Sequence, residues 1–115
     1  MYAVPERKVH FTQHGQVFVI TVTGEMDHDD TEAVEAAWAA ADEAALPMTA
    51  VDLSQVTFAD SMLLNALLDA RRRHAADGRE LVLIGPLRSG VRLLLDISGT
   101  LDHFRIVSTG PSPAS

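Results

Sequence analysis

Apolar positions follow two rhythms along this chain. From Val17 to Val22 they run almost unbroken, β-branched and aromatic, through Phe18, Val19 and Ile20. That pattern predicts a strand over 16–23, nearly all apolar and so expected to be buried on both faces. His14-Gly15-Gln16 reads as a hairpin connection to an earlier strand over 7–13. Beyond Thr31 the apolar residues fall at helical spacing: Val34, Ala37, Trp38, Ala41 and Ala45 share one side of a helix expected to run to Leu46 and to end at Pro47. Gly24 to Asp30 is expected to be a polar loop before it, with Asp29 or Asp30 as the helix cap.

The second half alternates the same two rhythms. Thr49 to Leu53 predicts a short buried strand. Residues 61–77 predict a helix with Leu64, Leu67, Leu68 and Ala75 facing inward, stopped at Asp77-Gly78. Leu81 to Ile84 predicts another buried strand and Ser89 to Ile97 a third helix, with Val91, Leu94 and Leu95 apolar. Phe104 to Val107 predicts a last short strand. Strands alternating with helices imply α/β architecture with right-handed crossovers. The expected fold is therefore a mixed, mainly parallel sheet of four to five strands, with an N-terminal β-hairpin and three main helices in the order ββαβαβαβ. One domain is expected over 1–115, its core about 8–107, with a frayed tail over 109–115.

Composition narrows the functions. A net charge of −7 argues against a sequence-independent grip on nucleic acid. The basic run Arg71-Arg72-Arg73-His74 lies late in a predicted helix, where it complements the helix dipole and reads as a solvated face. There is no cysteine, which excludes disulfides and thiolate chemistry. No apolar run reaches membrane-spanning length, and the first residues do not read as a signal peptide, so a cytoplasmic protein is expected.

Chemistry concentrates where the strand at Leu53 gives way to the second helix. Asp60 or Ser61 can cap that helix, and its partially positive end tolerates a phosphate on Ser61. With Leu64, Leu67 and Leu68 turned inward, Met62 or Leu63 must point outward, and that apolar pair suits a partner interface. Asp27 and Asp60 lack a nucleophile and an orienting group, so no catalytic residue is assigned and no enzyme is expected. The histidines His10, His14, His28, His74 and His103 show no metal-ligand spacing. No Gly-rich phosphate loop follows a strand, and no cofactor is expected.

Three patterns, in order, resemble the STAS family, and in particular its anti-sigma factor antagonists, over about Lys8 to Val107. They are Thr23-Gly24-Glu25-Met26-Asp27, then Asp52-Leu53-Ser54…Phe58-Ala59-Asp60-Ser61, then Leu95-Asp96-Ile97-Ser98-Gly99. The resemblance implies that Ser61 is a phosphorylation site. It implies an anti-sigma factor as partner, a serine kinase of the histidine-kinase-like ATPase fold, and a metal-dependent phosphatase that reverses the switch. It implies partner binding at Ser61 with Asp60 beside it and a sigma factor released for transcription; Asp27, expected in a loop at the same end of the sheet, and the apolar pair Met62 and Leu63 complete the expected partner-binding set. The family follows its Asp-Ser with Ser or Thr, then Gly, Leu and Gly; here Met62, Leu63, Leu64 and Asn65 stand instead. Leu63 is expected to add bulk where a glycine would let a partner's backbone approach. A second reading is a STAS-fold accessory subunit of a lipid or anion transporter, not phosphorylated. A third is a scaffold within a stress-sensing assembly.

Overall fold

The computed structural model describes residues 8–108, so the tail expected to fray over 109–115 lies outside the described residues. Strands β1 (Val9–His14) and β2 (Val17–Met26) form an antiparallel hairpin closed at Gly15, whose φ of +59° only glycine adopts freely. A 3-10 turn, His28–Asp30, leads into α1 (Thr31–Ala44). Strand β3 (Met48–Ala59), helix α2 (Ser61–Ala76), strand β4 (Glu80–Gly85), helix α3 (Ser89–Ile97) and strand β5 (Arg105–Ser108) complete the order. The five strands stand in chain order, β1-β2-β3-β4-β5, and all pairs after the first are parallel.

That order has a consequence for the layers. Right-handed crossovers that always step in one direction place every helix on the same side of the sheet. One cluster accordingly holds Ile20, Val51, Leu53 and Leu83 from the strands together with Val34 and Trp38 of α1, Leu63 and Leu67 of α2, and Val91 and Leu95 of α3. The alternate strand positions Val17, Val19, Met48, Ile84 and Val107 belong to the other face and remain half-buried. Strand β2 is therefore buried on the helix-facing side alone, through Phe18, Ile20, Val22 and Met26, and not on both.

Several expected boundaries move. The polar loop begins only at Asp27, because Glu25 and Met26 still pair with Phe58 and Ala59 of β3 beyond two register shifts that flank Gly24. For the same reason β3 is twelve residues long rather than a short strand ending at Leu53. Helix α1 ends at Ala44, and Ala45 is not on its buried side. Ala45 is exposed and left-handed, with φ +51°, and its N–H closes the helix on the Ala41 carbonyl. A β-carbon is strained there. Ala45→Gly is expected to raise the unfolding free energy by about 0.5–1 kcal/mol, the relief of strain less the added freedom of the unfolded chain. Urea denaturation measures it, and a loss of stability would show that the conformation carries no strain.

On α2, Leu63 is buried at 1% exposure, Ala75 is exposed and Leu68 half-buried. The buried row is Leu63, Leu67, Ala70 and His74, with Leu64 beside it. His74 thus leaves the solvated basic run expected of it and enters the core at 2% exposure.

Candidate functional site

The C-terminal ends of β2 and β3 lie side by side because Met26 pairs with Ala59. The residue that follows β3 ties the two strands: Asp60 N–H donates to the Met26 carbonyl at 3.2 Å. Asp27 and Asp60 therefore leave the sheet from adjacent positions, and each caps the helical turn that begins beside it. Asp60, extended at φ −103° and ψ −174°, accepts a hydrogen bond from Met62 N–H at 2.9 Å through Oδ1. Asp60, not Ser61, is thus the cap of α2. Ser61 becomes the first helical residue, exposed, and among the described residues its hydroxyl has no hydrogen-bond partner. The start of α2 presents its backbone N–H groups and the positive end of the helix dipole beside that oxygen.

Asp27 caps the 3-10 turn in the same manner. Its Oδ1 accepts from Asp29 N–H at 2.9 Å, and its own N–H donates to Asp30 Oδ2 at 3.0 Å. Neither Asp29 nor Asp30 caps α1 with its side chain. Lys8, which no sequence pattern singles out, closes this corner: Nζ donates to the Glu25 carbonyl at 2.7 Å and to Asp30 Oδ2 at 3.2 Å. One cation is thereby paired with Asp30, the same carboxylate that accepts from Asp27 N–H. The ligand atoms of Asp27, His28 and Asp29 lie within 4.8 Å of one another. The side chains of His28 and Asp29 are 84% and 82% exposed, however, and Asp27 is engaged in its cap, so the trio reads as a solvated turn.

The structure brings Asp27, Asp60, Ser61 and Met62 to one surface and removes Leu63 from it. Met62 is half-buried and lines a groove of about 310 Å³ between α1 and α2, with Thr31, Val34, Glu35 and Asn65. Leu63 points into the core, so the bulk expected at the partner surface is absent there. Asn65, at the second family glycine, is exposed. Among the described residues no helix is long and apolar enough to cross a membrane.

A mainly parallel sheet with a leading hairpin, three helices on one side and an exposed serine opening the Asp60-capped helix after β3 defines a STAS domain. More narrowly, residues 9–108 match the family model described as "Mlab, STAS domain", and the chain belongs to that family. No curated protein sequence matches the chain. Among solved structures it is similar to an anti-sigma factor antagonist from Mycobacterium paratuberculosis, at 23% identity and a TM-score of 0.77, over 92% of this chain and 86% of that one. It is also similar to the Bacillus cell fate determinant SpoIIAA in its phosphorylated form, at 20% identity and a TM-score of 0.70, over 92% and 95%. A sulfate transporter family protein from Wolinella succinogenes matches at 14% identity and a TM-score of 0.69, over 84% and 80%. At these identities the likeness speaks for the fold.

Proposed function

We propose that this protein is an anti-sigma factor antagonist: unphosphorylated, it binds an anti-sigma factor and frees a sigma factor, and phosphorylation of Ser61 switches that binding off. The observation that carries the reading is the exposed Ser61 hydroxyl at the first residue of α2, without a hydrogen-bond partner among the described residues, with Asp60 already serving as cap. A kinase can take that hydroxyl without dismantling the helix start. The likeness to an anti-sigma factor antagonist, and to a relative seen in a phosphorylated form, supports the choice of partner.

The physics favours a switch of surface rather than of fold. A phosphate adds about −1.5 to −2 charges and three acceptor oxygens. The dipole of α2 offsets roughly 0.3–1 kcal/mol of the intrachain repulsion at such an exposed end. A partner fitted to a neutral hydroxyl instead meets a desolvated dianion beside Asp27 and Asp60, which costs several kcal/mol of binding. The kinase is the anti-sigma factor itself, an ATP-dependent serine kinase, and a metal-dependent phosphatase restores the hydroxyl.

The test is incubation with ATP and a candidate anti-sigma factor kinase of the histidine-kinase-like ATPase fold from the same genome, and then location of the added mass. Phosphate at Ser61 is expected. Ser61→Ala is expected to bind the anti-sigma factor with or without ATP. Ser61→Asp is expected to fold normally and bind at least about tenfold more weakly, or about 1.4 kcal/mol. Phosphate on another residue, or wild-type affinity in Ser61→Asp, would sink the switch. A second reading, an accessory subunit that regulates a transporter ATPase without phosphorylation, draws on the likeness to the sulfate transporter family protein and on Asn65 at a family glycine position. Binding to a permease-associated ATPase that persists unchanged in Ser61→Ala and in the presence of ATP favours that reading.

A further inference from the structure

Strand β1 ends the sheet, and among the described residues nothing pairs with its outer side. One bond settles which backbone groups face outward. The Lys8 carbonyl accepts from Thr23 N–H at 2.8 Å, so Lys8 turns its polar groups toward β2. Antiparallel ladders alternate. His10, Thr12 and His14 therefore also bond inward, while Val9, Phe11 and Gln13 direct their N–H and C=O groups away from the sheet.

Edge strands are usually kept from pairing by charge, proline or shortness. Strand β5 at the opposite edge has four residues and carries Arg105. Strand β1 has six residues, Val-His-Phe-Thr-Gln-His, with no Lys, Arg, Asp, Glu or Pro. At its centre Phe11 is 51% exposed although its ring is stacked on Phe18, with centroids 5.5 Å apart and planes 25° apart. An exposed phenylalanine in the middle of an unguarded, uncharged edge is an interaction surface.

We propose that β1 pairs antiparallel with β1 of a second copy of this chain, about a two-fold axis through Phe11, to make one continuous sheet across a symmetric dimer. A two-fold axis normal to the sheet keeps both sets of helices on the same side and sets outward residues against outward residues. Phe11 then faces the partner subunit's Phe11, and Val9 faces the partner subunit's Gln13. About six inter-chain N–H···O bonds close the outward groups of both strands. The register points to a second copy rather than an unrelated strand, because it lays ring against ring and extends the Phe18–Phe11 stack across the axis, a favourable cross-strand pair. Charge agrees: two chains of net charge −7 repel, and β1 is a segment where neither contributes a formal charge. One strand pair covers less than the about 800 Å² per partner of a standard interface, so the dimer is weak and concentration-dependent.

Sedimentation equilibrium of the full chain tests this up to about 1 mM. Wild type is expected to shift from monomer toward twice the monomer mass as concentration rises. Phe11→Lys places a charge on the axis, and Gln13→Pro removes an outward N–H without touching the β1–β2 ladder. Both are expected to remain monomeric, with unchanged circular dichroism. Because the chain has no cysteine, Phe11→Cys is expected to give a covalent dimer on mild oxidation. Thr12→Cys is not, since off-axis Cα atoms lie beyond the about 7 Å reach of a disulfide. A wild-type monomer at the highest concentration, a dimer that persists in both Phe11→Lys and Gln13→Pro, or cross-linking through Thr12→Cys and not Phe11→Cys overturns the proposal.

Discussion

Leu63→Ala is expected to lower the unfolding free energy by about 2–5 kcal/mol, the range for deleting a fully buried leucine side chain and leaving a cavity. The residue stands only two positions after Ser61, where sequence reasoning places a partner surface. The structure instead gives it 1% exposure, in the cluster that joins the strands to all three helices. Stability and binding are thereby separable. Leu63→Ala should fall markedly in urea midpoint, yet at temperatures where it stays folded it should hold its partner as wild type does. Met62→Ala should do the reverse, because Met62 is half-buried on the groove beside Ser61. Leu63→Gly, which restores the residue type of the family pattern, is expected to cost about 1 kcal/mol more than Leu63→Ala through lost helix propensity. A loss below about 1 kcal/mol for Leu63→Ala would mean that the site collapses around the deletion or that Leu63 is not core.

Leu63 and His74 depart from expectation for a physical reason. Helix α2 carries leucines at 63, 64, 67 and 68, a band wide enough to admit two centre lines. A centre on Leu64 and Leu68 sends Ala75 inward and Leu63 outward. A centre on Leu63, Leu67, Ala70 and His74 keeps a four-three-four spacing and sends the histidine inward, and that is the observed row. The basic neighbours Arg71, Arg72 and Arg73 conceal it by making the whole run look solvated. The element order is legible because β-branched runs and helical spacing are local signals; α3 matches its expected bounds, Ser89–Ile97, at both ends. The length of β3 is not legible. Ser54, Gln55 and Thr57 look like a turn, and Ser54 N–H does donate to the Asp52 side chain, but Gln55, Val56 and Phe58 still pair with Thr23, Gly24 and Glu25 of β2 and carry the strand on to Ala59. Strand order, too, is not written in local pattern, so a sheet with helices on one side only cannot be foreseen from it. At the site, Asp60 and Ser61 are legible as a helix start, whereas their roles as cap and as exposed first helical residue need backbone geometry.

Stability is expected to fall as pH drops below about 6.5, with His74 as the group responsible. The imidazole lies between two acceptor-capable oxygens: Nδ1 is 2.8 Å from the Ala70 carbonyl and Nε2 is 2.7 Å from Thr49 Oγ1. A carbonyl only accepts, so Nδ1 carries the proton, and the neutral ring accepts at Nε2 from the Thr49 hydroxyl. Protonation at Nε2 would bury a charge and force Thr49 to reverse its role. Burial accordingly holds the His74 pKa below the usual 6.5; the Ala70 bond opposes the shift, Arg79 and Arg73 reinforce it and Asp42 opposes it. The folded state therefore binds this proton less readily than the unfolded chain does. Its contribution is complete above pH 6.5 and is lost as pH falls toward the depressed folded value, by at most about 1.4 kcal/mol per pH unit for one proton. Thr49→Val leaves Nε2 without its donor and is expected to cost about 1–3 kcal/mol at neutral pH. Thr49→Val with His74→Leu replaces both partners by apolar groups, which is close to neutral at best. The double variant should show no pH dependence assignable to this site. A wild-type slope that survives unchanged in the double variant would place the acid sensitivity elsewhere.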